Sequence, residues 1–167
     1  MKDGELLEVG GRYELRFARR VSHPVSKVWQ AITTPSGLAA WFPFDVVGER
    51  EAGAALRFVF REGEGEPFTG SMVEFSPESV MELRWEGDET LRLELVQADG
   101  GCVLTLINRF DELGKAARDG AGWHACLDVL EGSLAGTSVD ASSRWQAVHP
   151  GYVSRFGPAA ATIGPPT

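Results

Sequence analysis

Two cysteines, Cys102 and Cys126, are all that the 167 residues contain, too few for a disulfide framework. Long apolar runs are missing as well. Nothing approaches the roughly 20 residues that cross a bilayer, and the amino terminus has no continuous apolar signal segment. Basic charge is scarce: 16 Lys plus Arg stand against 24 Asp plus Glu, a net charge of −8. That balance disfavours a nonspecific grip on nucleic acid or on an anionic membrane. These absences imply a cytoplasmic, reduced protein with no nucleic-acid partner and no integral membrane association. No internal repeat or linker divides the chain, and its length suits one domain with a substantial core. Residues 10–157 are expected to form that domain, with 158–167 as a flexible tail.

Groupings that announce a reaction are also missing. Cys102, His124 and Cys126 combine soft ligands with an imidazole, but His124 and Cys126 stand two positions apart on a helix and point in different directions. Ser133, Ser142 and Ser143 lie in no nucleophile elbow, and neither cysteine has a neighbouring base to form a thiolate. The glycine-rich stretches at Glu62–Gly65 and Asp119–Gly122 lack the strand–loop–helix setting of a phosphate site. No catalytic residue, metal site or cofactor is therefore expected.

What is present is strong periodicity. From Ala116 to Leu134, the residues Ala116, Gly120, Trp123, Leu127, Leu130 and Leu134 form one stripe at helical spacing. Cys126 lies on its shoulder, and His124, Asp128 and Glu131 fall in another, more exposed sector. Gly120 lowers the relief of the stripe, so another layer can approach closely. Earlier in the chain, Tyr13, Leu15, Phe17 and Arg19 alternate with Glu14, Arg16, Ala18 and Arg20 as a half-covered strand, the first expected. Order before residue 10 is left open. A short helix follows, started at Pro24 behind a cap at His23 or Ser22, with Val25, Val28, Trp29 and Ile32 on one face. Thr34-Pro35 repeats the start signal and delivers Trp41 and Phe42 to the interior. Six further strands are expected around Val46-Val47, Leu56 to Phe60, Phe68 to Phe75, Val80 to Trp85, Leu91 to Leu95 and Cys102 to Phe110. An exposed turn at Glu62–Pro67 separates the second and third of these. Trp145, Val148, Tyr152 and Phe156 are placed to dock a further segment onto the domain.

Strands followed by a long amphipathic helix imply an α+β protein. The PVSKVWQAITTPSGLAAWF segment, Gly53, Gly70 with Val73 and Pro77, Leu83-x-Trp85, and Gly122-Trp123 followed by Leu127, Leu130 and Leu134 resemble the activator of heat-shock protein 90 ATPase homologue-like family. That family lies within the START-like (SRPBCC) superfamily. The resemblance covers most of Arg12 to Leu134 and departs from the family at Asn108-Arg109. It implies a helix-grip fold, in which a curved antiparallel β-sheet wraps around a long C-terminal α-helix, two short helices follow strand 1, and an apolar cavity can be enclosed. It also spreads the function over lipid carriers, ligand binders, cyclase-like enzymes and co-chaperones.

Trp29, Trp41, Phe42, Phe58, Phe60, Trp85, Trp123 and Leu127 are then candidates to line a ligand cavity between sheet and helix, or alternatively to fill a core. Asp45 and Asn108 are the polar candidates to orient a ligand. The expected function is noncatalytic binding of a small hydrophobic or amphipathic, lipid-like ligand. Two alternatives remain: a co-chaperone-like interaction domain with a protein partner or a homodimer, and a cyclase- or hydrolase-like enzyme using the same cavity.

Overall fold

The computed structural model describes residues 2–61, 65–85 and 87–165. Residues 62–64 of the expected turn and residues 166–167 of the expected tail lie outside them. One eight-stranded antiparallel sheet dominates: β1 (Glu5–Val9), β2 (Arg12–Val21), β3 (Asp45–Val47), β4 (Ala55–Val59), β5 (Phe68–Ser76), β6 (Val80–Arg84), β7 (Thr90–Ala98) and β8 (Gly101–Phe110). The spatial order is β1-β2-β8-β7-β6-β5-β4-β3. From β3 to β8 the chain runs as a meander. The helices α1 (Val25–Thr33) and α2 (Pro35–Leu38) carry it from β2 to the far edge of the sheet. The Thr34 side chain accepts the Gly37 N–H at 3.0 Å and Pro35 follows it, so the second start signal forms as expected. The first differs. Pro24 itself occupies the extended cap position of α1, and no side chain caps that end.

The inward face of the sheet follows from strand phase. Leu15, Asn108, Leu91, Leu83 and Met72 pair in register across five strands, and all are buried. Asn108 is the one polar member of that row. Against this face lies α3 (Ala116–Ala135), which buries Trp123, Leu127 and Leu130 as its stripe requires. A curved antiparallel sheet around a long helix is the helix-grip arrangement. A Cβ at Gly120 would come within 3.3 Å of ring atoms of Tyr152 and Phe156 and 3.5 Å of Leu15, so the glycine does admit close neighbours there.

Two features depart from the sequence reading. The strand expected to be first is second, because Glu5–Val9 pairs with it, Leu6 opposite Leu15. The sector of α3 expected to be more exposed is covered: His124 is 6% exposed and Asp128 7%. The cover is α4 (Ala141–Phe156), started by Asp140, whose carboxylate accepts the Ser143 N–H at 3.0 Å. Tyr152 of α4 is fully buried, and its hydroxyl accepts the Gly4 N–H at 2.7 Å and meets His124 Nδ1 at 2.8 Å. From β2, Arg19 turns inward at 1% exposure and donates to Asp128 at 2.8 Å, while Arg144 reaches the other carboxylate oxygen at 2.9 Å. A polar sector becomes interior because each of its charges meets a partner. Past α4, Pro158–Ala160 form a 3-10 turn with Ala160 buried, and the Ile163 N–H donates to Gly114 O at 3.1 Å.

Candidate functional site

On the other flank of α3 lies an open cleft of about 710 Å³. Its apolar wall is formed by Phe44, Phe60, Trp85, Trp123, Cys126 and Trp145, with Pro43 and Pro165 at the rim. The rings brace one another. Trp85 and Trp123 lie nearly parallel with centroids 6.3 Å apart, and Phe44 meets Phe60 at 5.1 Å and Trp85 at 5.9 Å, both edge to face. Arg61 holds the base of this wall by donating to the carbonyls of Leu38, Phe42 and Phe44. Gly70 permits the close layering beneath it, since a Cβ there would lie 2.8 Å from the Phe58 ring and closer still to Arg84 O.

A charged end closes the cleft, built by Glu89 ahead of β7 and by Lys115, Arg118 and Asp119 at the start of α3. Lys115 pairs with Glu89 and lies 3.6 Å from Asp119. Arg118 Nε donates to Asp119 at 2.9 Å. The second Glu89 oxygen accepts from Asn108 Nδ2 at 3.0 Å, and Asn108 Oδ1 accepts from Trp123 Nε1 at 3.2 Å. Trp145 Nε1 donates to Arg118 O at 3.1 Å, which ties α4 to this end. Burial pushes the Asp119 carboxyl above its ordinary range, against the pull of Arg118 and Lys115 and with the help of Glu89. Burial also pushes the Cys126 thiol up to about 12, against a weaker pull from Arg61, so it stands in the wall as a neutral thiol. Among the described residues, no group of three or more His, Cys, Asp or Glu could hold a metal ion, and no helix is long and apolar enough to cross a membrane.

Of the residues singled out from sequence, Phe60, Trp85 and Trp123 line the cleft. Trp29, Trp41, Phe42, Phe58 and Leu127 are buried in the core behind it, where Phe42 packs 5.8 Å from Trp123. Asn108 lies under the cleft floor and reaches it only through Trp123 and Glu89. Asp45 is elsewhere, half-exposed at the sheet edge and paired with Arg61 at 2.8 Å. Sequence reasoning missed Phe44, Trp145, Lys115, Arg118, Asp119 and Glu89. One signal was available for three of them: Lys115, Arg118 and Asp119 share a helical face at i, i+3 and i+4.

Comparison with known proteins bears on fold and family. No curated protein sequence matches the chain. Among solved structures, CalU16 from Micromonospora echinospora is similar with a TM-score of 0.74 at 18% identity, over 93% of this chain and 97% of that one. A conserved protein of unknown function from Enterococcus faecalis, EF2215, gives 0.71 at 16% identity over 92% of each chain. MLL2253 from Mesorhizobium loti gives 0.65 at 17% identity, over 75% of this chain and 99% of its own. At such identities the likeness is one of fold. The sequence profile described as Activator of Hsp90 ATPase homolog 1-like protein matches residues 22–135, which hold α1 through α3, and the chain belongs to that family.

Proposed function

We propose that the protein binds a small apolar or amphipathic molecule, without transforming it, in the cleft between the sheet, α3 and α4. One observation carries this reading: aromatic side chains from separate elements, Phe44, Phe60, Trp85, Trp123 and Trp145, converge on a space of about 710 Å³. That volume suits a compact organic ligand. An occupant gains about 25 cal/mol for each Å² of apolar surface removed from water, less the costs of association and ordering. The test is a screen of planar and acyl compounds followed by chemical-shift mapping of the indole N–H groups. Saturable shifts at Trp85, Trp123 and Trp145, with Trp29 and Trp41 unmoved as core controls, are expected. Shifts confined to other surfaces, or none with any compound, would overturn the reading.

A second reading, a cyclase- or hydrolase-like enzyme, draws on Asp119, whose raised carboxyl shares the cleft with Lys115 in the manner of a general acid or base. Turnover of a bound compound that disappears in Asp119→Asn while binding persists would place this reading first.

A further inference from the structure

The charged end of the cleft has one unspent group. Lys115 is engaged with Glu89 and Asp119. Glu89 gives one oxygen to Lys115 and the other to Asn108. Asp119 takes Arg118 Nε on one oxygen and faces Lys115 with the other. Among the described residues, Nη1 and Nη2 of Arg118 have no partner, although its side chain is only 28% exposed and lines the cleft. Its guanidinium is held at Nε by Asp119 at 2.9 Å, and the Trp145 ring is anchored beside it through a bond to the Arg118 carbonyl. A guanidinium held in this way presents a planar pair of N–H donors whose spacing matches a carboxylate.

Resting on the cleft reading above, we infer that the ligand is an amphipathic monocarboxylate whose carboxylate is clamped by the terminal amino groups of Arg118, while its apolar body lies along the Phe44, Trp85, Trp123 and Trp145 rings. Charge selects the head group. Lys115 and Arg118 against Glu89 and Asp119 sum to zero, so a single negative charge meets a balanced site with one free donor fork. A phosphate dianion would add a second charge beside two existing carboxylates and inside a chain of net charge −8. The aromatic wall then sets the body, because a head group without one would leave the rings in water and gain only the ion contact.

The test uses two pairs of probes, 2-naphthoate with 2-naphthamide and dodecanoate with dodecanamide, titrated calorimetrically into the full chain. The same titrations are run on Arg118→Met, which keeps the apolar stem, and on Arg118→Lys, which keeps the charge without the fork. In the unsubstituted protein at least one carboxylate should bind roughly tenfold more tightly than its amide, as a charge-assisted contact requires. Arg118→Met should lower carboxylate affinity to that of the amide and so abolish the preference, and Arg118→Lys should keep only a fraction of it. Equal binding of acid and amide, or a preference that survives in Arg118→Met, would overturn the carboxylate clamp while the cleft reading stands. No binding of any of the four would overturn the clamp, whereas the cleft reading falls only if the wider screen also finds no ligand. Amide-proton spectra of each variant establish that the fold is intact.

Discussion

The two flanks of α3 carry the same kinds of side chain and put them to opposite uses. On one flank, Asp128 and His124 are enclosed by Arg19, Arg144 and Tyr152, and the Gly4 amide is tied in behind them. On the other, Asp119 with Arg118, Lys115 and Glu89 lines the charged end of a cleft, and one donor fork has no protein partner among the described residues. What separates them is not composition but cover. Residues 2–4 ahead of β1, together with Arg144 and Tyr152 of α4, close the first flank, whereas Ser142, Trp145 and Gln146 of the same helix only border the second. A charge enclosed on every side, as Arg19 is at 1% exposure against Asp128, contributes to holding the fold, and a charge that borders a cleft is available to a ligand.

The sharpest way to break this comparison is to delete one carboxylate from each flank. Asp128→Ala leaves the buried Arg19 guanidinium with Glu131 at 3.3 Å as its remaining carboxylate, itself shared with Lys2, and removing one partner of a buried ion pair costs up to about 3–5 kcal/mol. Asp119→Ala removes a carboxyl whose ionisation burial already disfavours and whose partners remain partly exposed or otherwise paired, so its effect should stay within about 1 kcal/mol. Urea denaturation of both variants measures the difference. Equal losses would mean that both flanks are structural.

Acid titration sharpens the same contrast with opposite signs. For Asp128, burial alone would raise the carboxyl, but hydrogen bonds from His124 and Arg19 overcome it and hold the pKa at about 2, below the ordinary 3.8. A carboxylate depressed in this way contributes stability that is complete above pH 3.8 and is lost as pH falls through 2, about 2 kcal/mol in all. Asp119 is raised, so the folded state binds its proton more tightly than the unfolded chain does, and its contribution grows as pH falls toward 3.8. Carbon-detected titration of the two carboxyl groups should show Asp119 changing first and Asp128 last. The reverse order would assign the covered flank wrongly.

Much of the scaffold was legible because it is written in period. The stripe on α3 and the alternation of β2, β7 and β8 follow from one face of each element meeting apolar neighbours. Even Arg19 fell on the inward phase of its strand. What could not be read was its partner: Asp128 lies 109 positions away, and a count of polar residues assigns such a carboxylate to water. Strand β1 is not legible because Glu5–Val9 offers Leu6-Leu7 and Val9 without the alternation of a strand and depends on the ladder to β2. The cleft was half legible for a different reason. A sequence shows which rings are apolar but not which of them meet an empty space, so its pattern groups Trp41 and Phe58 with Trp85 and Trp123 although they fill the core behind the wall.

The smallest effect belongs to two glycines of α3 that differ only in which flank they face. Each lowers helix propensity by roughly 1 kcal/mol relative to alanine, so Gly→Ala begins with the same gain at both positions. At Gly122, on the cleft, an added Cβ meets nothing within 4 Å, and Gly122→Ala should stabilise the protein by about 0.5–1 kcal/mol. At Gly120 the same atom would come within 3.3 Å of both Tyr152 and Phe156, close enough that the rings must shift, and those rings sit in the packed layer that covers the helix. Gly120→Ala should therefore show none of the gain, and a loss if the layer cannot yield. Thermal melts of the two variants side by side isolate packing from propensity. Equal stabilisation at both positions would mean that α4 rests loosely on α3, and the division into a covered and an open flank would lose its physical basis.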